Sequence, residues 1–144
     1  MKRIFLDTSA LLSGLNSPSG ASGLIISLFK LKKIELILSP EVLREAERII
    51  PTKFPLLRDS LIELLMHKPI ITKKLTKKQL QSAYAIIDSE DAPILKGAMQ
   101  EDVDVLVTLD KRFQKLAHSR VTLPILLPGE FIRAFREEKG ETLP

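Results

Sequence analysis

Apolar runs too short to be helices alternate along this chain with longer stretches whose apolar residues recur at helical spacing. Ile4-Phe5-Leu6, Ile34-Glu35-Leu36-Ile37-Leu38, Ile70-Ile71, Asp104-Val105-Leu106-Val107 and a segment near Leu123 to Leu126 read as strands. Strands joined through helices run parallel, and the joining helices then cover both faces of the sheet. An α/β chain with a parallel sheet of about five strands is the expectation. Pro124 confines the last strand to a sheet edge, because it has no amide to give to a ladder.

The punctuation between strands is specific. Gly14 to Gly23 reads as a polar loop, and Leu24 to Leu31 as a helix closed by Lys32 and Lys33. Ser39-Pro40-Glu41 is a helix start with an N-cap hydroxyl, Pro in the first position and an early acid. Val42, Ala46, Ile49 and Ile50 mark its buried face, and Pro51 is expected to end it. A further helix runs from Pro55 until Lys68-Pro69. Thr76 and Gln79 have the form of a capping box, opening a helix to about Ile87 with Leu80, Ala83, Tyr84 and Ile87 inward. Asp88-Ser89-Glu90-Asp91 interrupts it, and a helix restarts near Pro93. A short helix surrounds Phe113 and Leu116, a closing helix spans Gly129 to about Glu138, and the last few residues are expected to fray.

Residues 1–144 carry no repeat and no linker long enough to divide them, so one domain is expected. The absence of cysteine excludes disulfides, cysteine-based zinc sites and thiol catalysis. No leader pattern and no apolar run near the roughly 18 residues of a membrane span are present, so a cytoplasmic protein without membrane association is expected. The net charge of +4 suits a polyanionic partner or simply solubility.

Chemistry concentrates in carboxylates. Asp7 and Asp110 each directly follow an apolar strand, and parallel strands would bring both to one sheet edge, where ligands bind in such folds. Asp91 opens the helix leading to the strand before Asp110, and Glu45 lies one turn into the helix after the second strand. Each has a plainer role available, as helix cap for Asp7 and Asp91 and as a solvated charge for Glu45. Helical geometry does not separate Glu45 from Glu41 or Glu47. Converging carboxylates repel unless neutralised, and Mg²⁺ or Mn²⁺ prefers such oxygen ligands. A cation so held can activate water, and a pair can clamp both oxygens of a phosphodiester displacement.

Leu6-Asp7-Thr8-Ser9, Leu38 through Glu45, Asp91-Ala92-Pro93-Ile94-Leu95 and Leu106-Val107-Thr108-Leu109-Asp110 resemble, in order, the four motif blocks of PIN-domain proteins. The resemblance implies a Rossmann-like three-layer α/β/α sandwich, a Mg²⁺ or Mn²⁺ site and cleavage of single-stranded RNA. It further implies a VapC-like toxin with an antitoxin partner, and a homodimer. Position by position, Asp7, Glu45, Asp91 and Asp110 match the acidic quartet, the implied metal ligands and catalytic residues. Ser9 and Thr108 match its supporting hydroxyls. Arg112 stands where some members carry a further acid, which bears on a second metal position.

Lys73, Lys74, Lys77 and Lys78 form the densest basic patch, readable as phosphate binding or as a solvated helix entrance. With 5% aromatics and no Trp, base stacking is expected to be a poor source of affinity. His67 and His118 read as surface residues. A non-catalytic PIN-like binding module is the second reading. A dehalogenase-type phosphatase would want Asp where Ser9 stands, a receiver domain lacks its acidic pair, and neither a Walker loop nor a dinucleotide glycine fingerprint occurs.

Overall fold

Five strands, β1 (Arg3–Leu6), β2 (Glu35–Leu38), β3 (Ile70–Ile71), β4 (Val105–Val107) and β5 (Ile125–Leu126), form one sheet of order β3-β2-β1-β4-β5 in a computed structural model. It describes residues 1–140, so the fraying expected of the last few residues falls outside the described residues. Every strand pair is parallel, with Leu6 level with Val107 and Phe5 level with Ile37. Ile4, Phe5 and Leu6 are fully buried, as are Leu36, Ile37, Leu38, Leu106 and Val107. Such continuous apolar runs are what a sheet covered on both faces requires. β5, after Pro124, is an edge strand as expected.

The helices are α1 (Thr8–Asn16), α2 (Ala21–Lys30), α3 (Pro40–Lys53), α4 (Leu57–Met66), α5 (Lys77–Ile86), α6 (Ala92–Met99), α7 (Lys111–His118) and α8 (Pro128–Glu138). Ser39 caps α3 by accepting from Val42 N at 3.2 Å. The Thr76–Gln79 capping box closes both ways, at 3.1 Å and 2.9 Å. These local devices behave as their sequence signatures say they should.

Three expectations need correction. The polar loop of Gly14 to Gly23 is only a four-residue turn, because α1 and α2 extend into it from both sides. Its glycines serve packing: a Cβ on Gly14 would stand 2.6 Å from Ile26 Cδ1, and one on Gly23 would stand 2.3 Å from the Pro18 carbonyl oxygen. Pro51 does not end α3, which continues to Lys53. A proline costs a helix its amide bond, but in the last turn little remains to be disrupted, and Phe54 N still reaches Ile50 O at 2.9 Å. Leu80 and Tyr84 do not face inward; α5 buries only a narrow stripe through Ala83, and they stand 39% and 49% exposed.

The strand order reverses between β1 and β4. Neighbouring connections leave in opposite directions there, which opens a crevice at the carboxyl ends of these two strands. The opposite ends are closed by Arg3, whose guanidinium meets Glu35 at 2.8 Å and Glu101 at 3.7 Å. Asp7 and Asp110 therefore emerge beside the crevice, away from the Arg3 cluster.

Candidate functional site

Asp7 leaves β1 as the last buried residue before α1, and its amide donates to Val107 O at 3.1 Å. Its Oδ1 accepts from Ala10 N at 2.9 Å and from Ser9 Oγ at 2.7 Å. Asp7 is thus a helix cap, but these two bonds use only one carboxylate oxygen. At 5% exposure the group is a buried acid with no Lys or Arg bonded to it. Burial pushes its pKa up to about 6, against the opposing pull of the Thr108 hydroxyl, the Ala10 amide and the Ser9 hydroxyl. The charge of Asp91 pushes it further upward.

Asp91 stands at the cap position of α6 yet makes no cap bond with its side chain. It pairs instead with Ser89, whose Oγ accepts from Asp91 N at 3.1 Å and donates to Oδ2 at 3.4 Å. Its carboxyl is held above the usual range, first by burial and then by the charges of Asp110 and Glu45. Asp91 is therefore the hub: it acts electrostatically on Asp7, and Asp110 and Glu45 act on it. Four carboxylates from β1, α3, the α6 entrance and the β4 end share one field. Like charges that share a partly buried site disfavour one another's ionisation, so such a group favours a cation among its members.

The α3 alternatives separate in space. Glu45 is half-buried and its charge reaches Asp91. Glu47 is exposed. Glu41 buries Oε1 without a hydrogen-bond partner, on the side of α3 facing Gly97 of α6. Among the described residues, no three acids or histidines stand close enough to form a ready-made metal cage. The all-oxygen, mutually repelling donor set nonetheless has the chemistry a hard divalent cation fits.

The hydroxyls link the two strand ends. Ser9 Oγ accepts from Leu109 N at 3.1 Å while donating to Asp7, so it ties α1 to the β4–α7 turn. Thr108 is fully buried and its Oγ1 accepts from Asp110 N at 3.0 Å. Asp110 caps α7 with Oδ1 bonded to the amides of Arg112 at 2.9 Å and Phe113 at 3.1 Å. Ser9→Ala removes both links of Ser9, and we expect it to lower stability by about 1–2 kcal/mol. It should also raise the Asp7 carboxyl further, since the Ser9 bond holds it down. Urea denaturation and an NMR titration of Asp7 measure the two effects, and an unmoved Asp7 titration would contradict the link.

Beside these residues lies a groove of about 440 Å³ lined by Asp88, Glu90, Asp91, Asp110, Arg112 and Leu116 among others. Lys73 and Lys74 lie between β3 and α5, and Lys77 and Lys78 in the first turn of α5; all four are exposed. His67 is on the surface, 3.2 Å from Glu63, and His118 is exposed on α7. Sequence reasoning missed Ser89. A serine two residues ahead of an acid, in a turn, was the available signal.

A family model described as PIN domain matches residues 3–112 of the chain. A search of curated proteins returns no match. Among solved structures that match is a chain of the crystal structure of VapBC2 from Rickettsia felis bound to a DNA fragment from their promoter. It is 20% identical, with a TM-score of 0.60 and coverage of 86% of this chain and 96% of that one. At that identity the likeness speaks to the fold alone.

Proposed function

The chain belongs to the PIN-domain family, and from that premise we propose that it is a divalent-metal-dependent ribonuclease. In this reading, one domain spanning residues 1–144 hydrolyses phosphodiester bonds of single-stranded RNA in the cytoplasm. The observation carrying it is the exit of Asp7 from β1 and of Asp110 from the parallel β4 at one sheet edge, with Asp91 at the α6 entrance bearing on Asp7 and itself raised by the charges of Asp110 and Glu45. Asp7, Glu45, Asp91 and Asp110 would hold Mg²⁺ or Mn²⁺. When bound, the cation supplies Lewis acidity toward the phosphate and a lowered pKa for water. Ser9 and Thr108 orient Asp7 and the Asp110 turn through the bonds described above. Near neutral pH, an Asp7 carboxyl with pKa about 6 is ionised and able to serve as a ligand.

The similar fold in VapBC2, a complex on its own promoter DNA, supports the further reading that this chain is the toxin of a toxin–antitoxin pair. Homodimerisation belongs to the same proposal. A labelled single-stranded RNA incubated with Mg²⁺, Mn²⁺ or EDTA tests the activity, and cleavage only with a cation is the expected result. Mn²⁺ at about 100 times its Kd is also expected to stabilise the fold by about 2.7 kcal/mol, read as a rise in Tm. Arg112, where some family members carry an acid, leaves one alternative open, a non-catalytic RNA- or protein-binding module. No cleavage together with no calorimetric Mn²⁺ binding would turn the reading to that alternative.

A further inference from the structure

A second groove, of about 420 Å³, lies between α3, the entrance to α5 and the start of α6. Arg44, Arg48, Lys74 and Tyr84 line it together with Glu45 and Glu90. Glu90 also lines the groove that holds Asp91 and Asp110, so the two depressions meet at the carboxylate cluster. Tyr84 is the chain's one tyrosine, and nearly half of its surface is open to solvent although α5 has a buried stripe beside it. Among the described residues, Arg44, Arg48 and Lys74 form no ion pair, even with three glutamates in the same groove. Three unpaired cations and an aromatic face next to an acidic centre are the components of a single-strand binding track.

We propose that this groove seats the single strand leading to the cleaved bond, with Tyr84 stacking on a base and Arg44, Arg48 and Lys74 contacting phosphates. The inference rests on the ribonuclease reading and assigns its single-strand substrate to named residues of this groove. A base must be unpaired to lie on Tyr84, so the groove selects single strands over duplex. The cations also answer an electrostatic problem, because a polyanion approaching four carboxylates is repelled unless positive charge flanks its path. The basic patch before α5 contributes through Lys74, the one member of its four lysines that lines the groove. The low aromatic content is no obstacle, because one correctly placed ring is sufficient for one stacked base.

With no tryptophan and one tyrosine, the protein reports on this site directly, since all its tyrosine emission comes from Tyr84. The probe is a 10-nucleotide mixed-sequence RNA in EDTA, where cleavage is suppressed, with free N-acetyltyrosinamide correcting for absorption by the bases. Wild type is expected to bind with quenching of tyrosine emission. Tyr84→Ala is expected to weaken binding, by fluorescence anisotropy of end-labelled RNA, roughly 5- to 100-fold. Tyr84→Phe is expected to restore it to within a few-fold, which a purely packing role for the hydroxyl-bearing ring would not require of RNA affinity. Replacing Arg44 and Arg48 together by Gln should flatten the plot of log affinity against log salt by about 1.4, at about 0.7 per lost phosphate contact. Circular dichroism melts confirm that the variants are folded.

Wild-type binding and cation-dependent cleavage without quenching, and unchanged in Tyr84→Ala, would overturn the groove assignment and leave the ribonuclease standing. A wild type that neither binds nor cleaves the RNA would overturn both.

Discussion

Asp7→Asn is expected to abolish cation-dependent RNA cleavage while making the protein more stable at neutral pH. Outer-shell partners of metal ligands already carry about 10- to 100-fold in affinity or activity, so losing a ligand itself should exceed that range. The stability effect follows from the buried acid. Burial holds the Asp7 carboxyl at about 6 in the folded chain, against its ordinary value of 3.8. The folded state therefore holds the proton more tightly than the unfolded state does. The associated stabilisation is fully present below pH 3.8 and is lost as pH rises through about 6. Above that, ionised Asp7 weighs against folding by an amount on the order of 3 kcal/mol. Asn is uncharged and caps a helix about as well as Asp. Urea denaturation in EDTA should then find the variant more stable than wild type at pH 8 and similar near pH 4. A variant less stable than wild type at pH 8 would contradict the account. Adding Mn²⁺ should reverse the ranking, because only the wild type retains the full donor set.

Gly23→Ala is expected to destabilise the fold by about 3 kcal/mol, the upper part of the usual overpacking range. In an exposed helix the same change would gain nearly 1 kcal/mol. Here the new methyl would meet Pro18 O at 2.3 Å and Ser17 O at 2.4 Å, both backbone atoms that no rotamer change can move aside. Relief requires α2 to shift away from the turn that follows α1, and that turn holds α1, with Asp7 at its head, in place. Tm should fall by about 10 °C. Gly129→Ala is the control: nothing lies within 4 Å of a Cβ there, and a small gain is expected. Equal melting temperatures for Gly23→Ala and wild type would show that the close approach is not a real constraint.

The devices that read correctly from sequence act over one helical turn or one strand. Ser39-Pro40 and Thr76 with Gln79 each place a donor and its acceptor within three residues, so their geometry follows from local rules. Strand identity read well because buried strands must be apolar on both faces. Gly14 and Gly23 misled because a loop glycine and a close-packing glycine look the same until the partner element is known. Tyr84 misled for a related reason: helical spacing puts it beside Ala83, yet only the presence or absence of a neighbour decides whether that side of α5 is covered. For the candidate site, motif order supplied the four acids, and strand parallelism explained why Asp7 and Asp110 leave the sheet at the same edge. The separation of Glu45 from Glu41 and Glu47 depends on how α3 rotates against α6, which no local pattern encodes.

The bond from Leu109 N to Ser9 Oγ joins residues one hundred positions apart. On a ribosome, β1 is made first and becomes the middle of the sheet, yet it gains its β4 neighbour only after most of the chain exists. Asp91 is made shortly before β4 and Asp110 just after it, both long after Asp7. The carboxylate cluster therefore cannot assemble until the chain has been made past Asp110. Under the proposed function, RNA cutting is expected only from chains made past Asp110, and a chain terminated before β4 is expected to be inert.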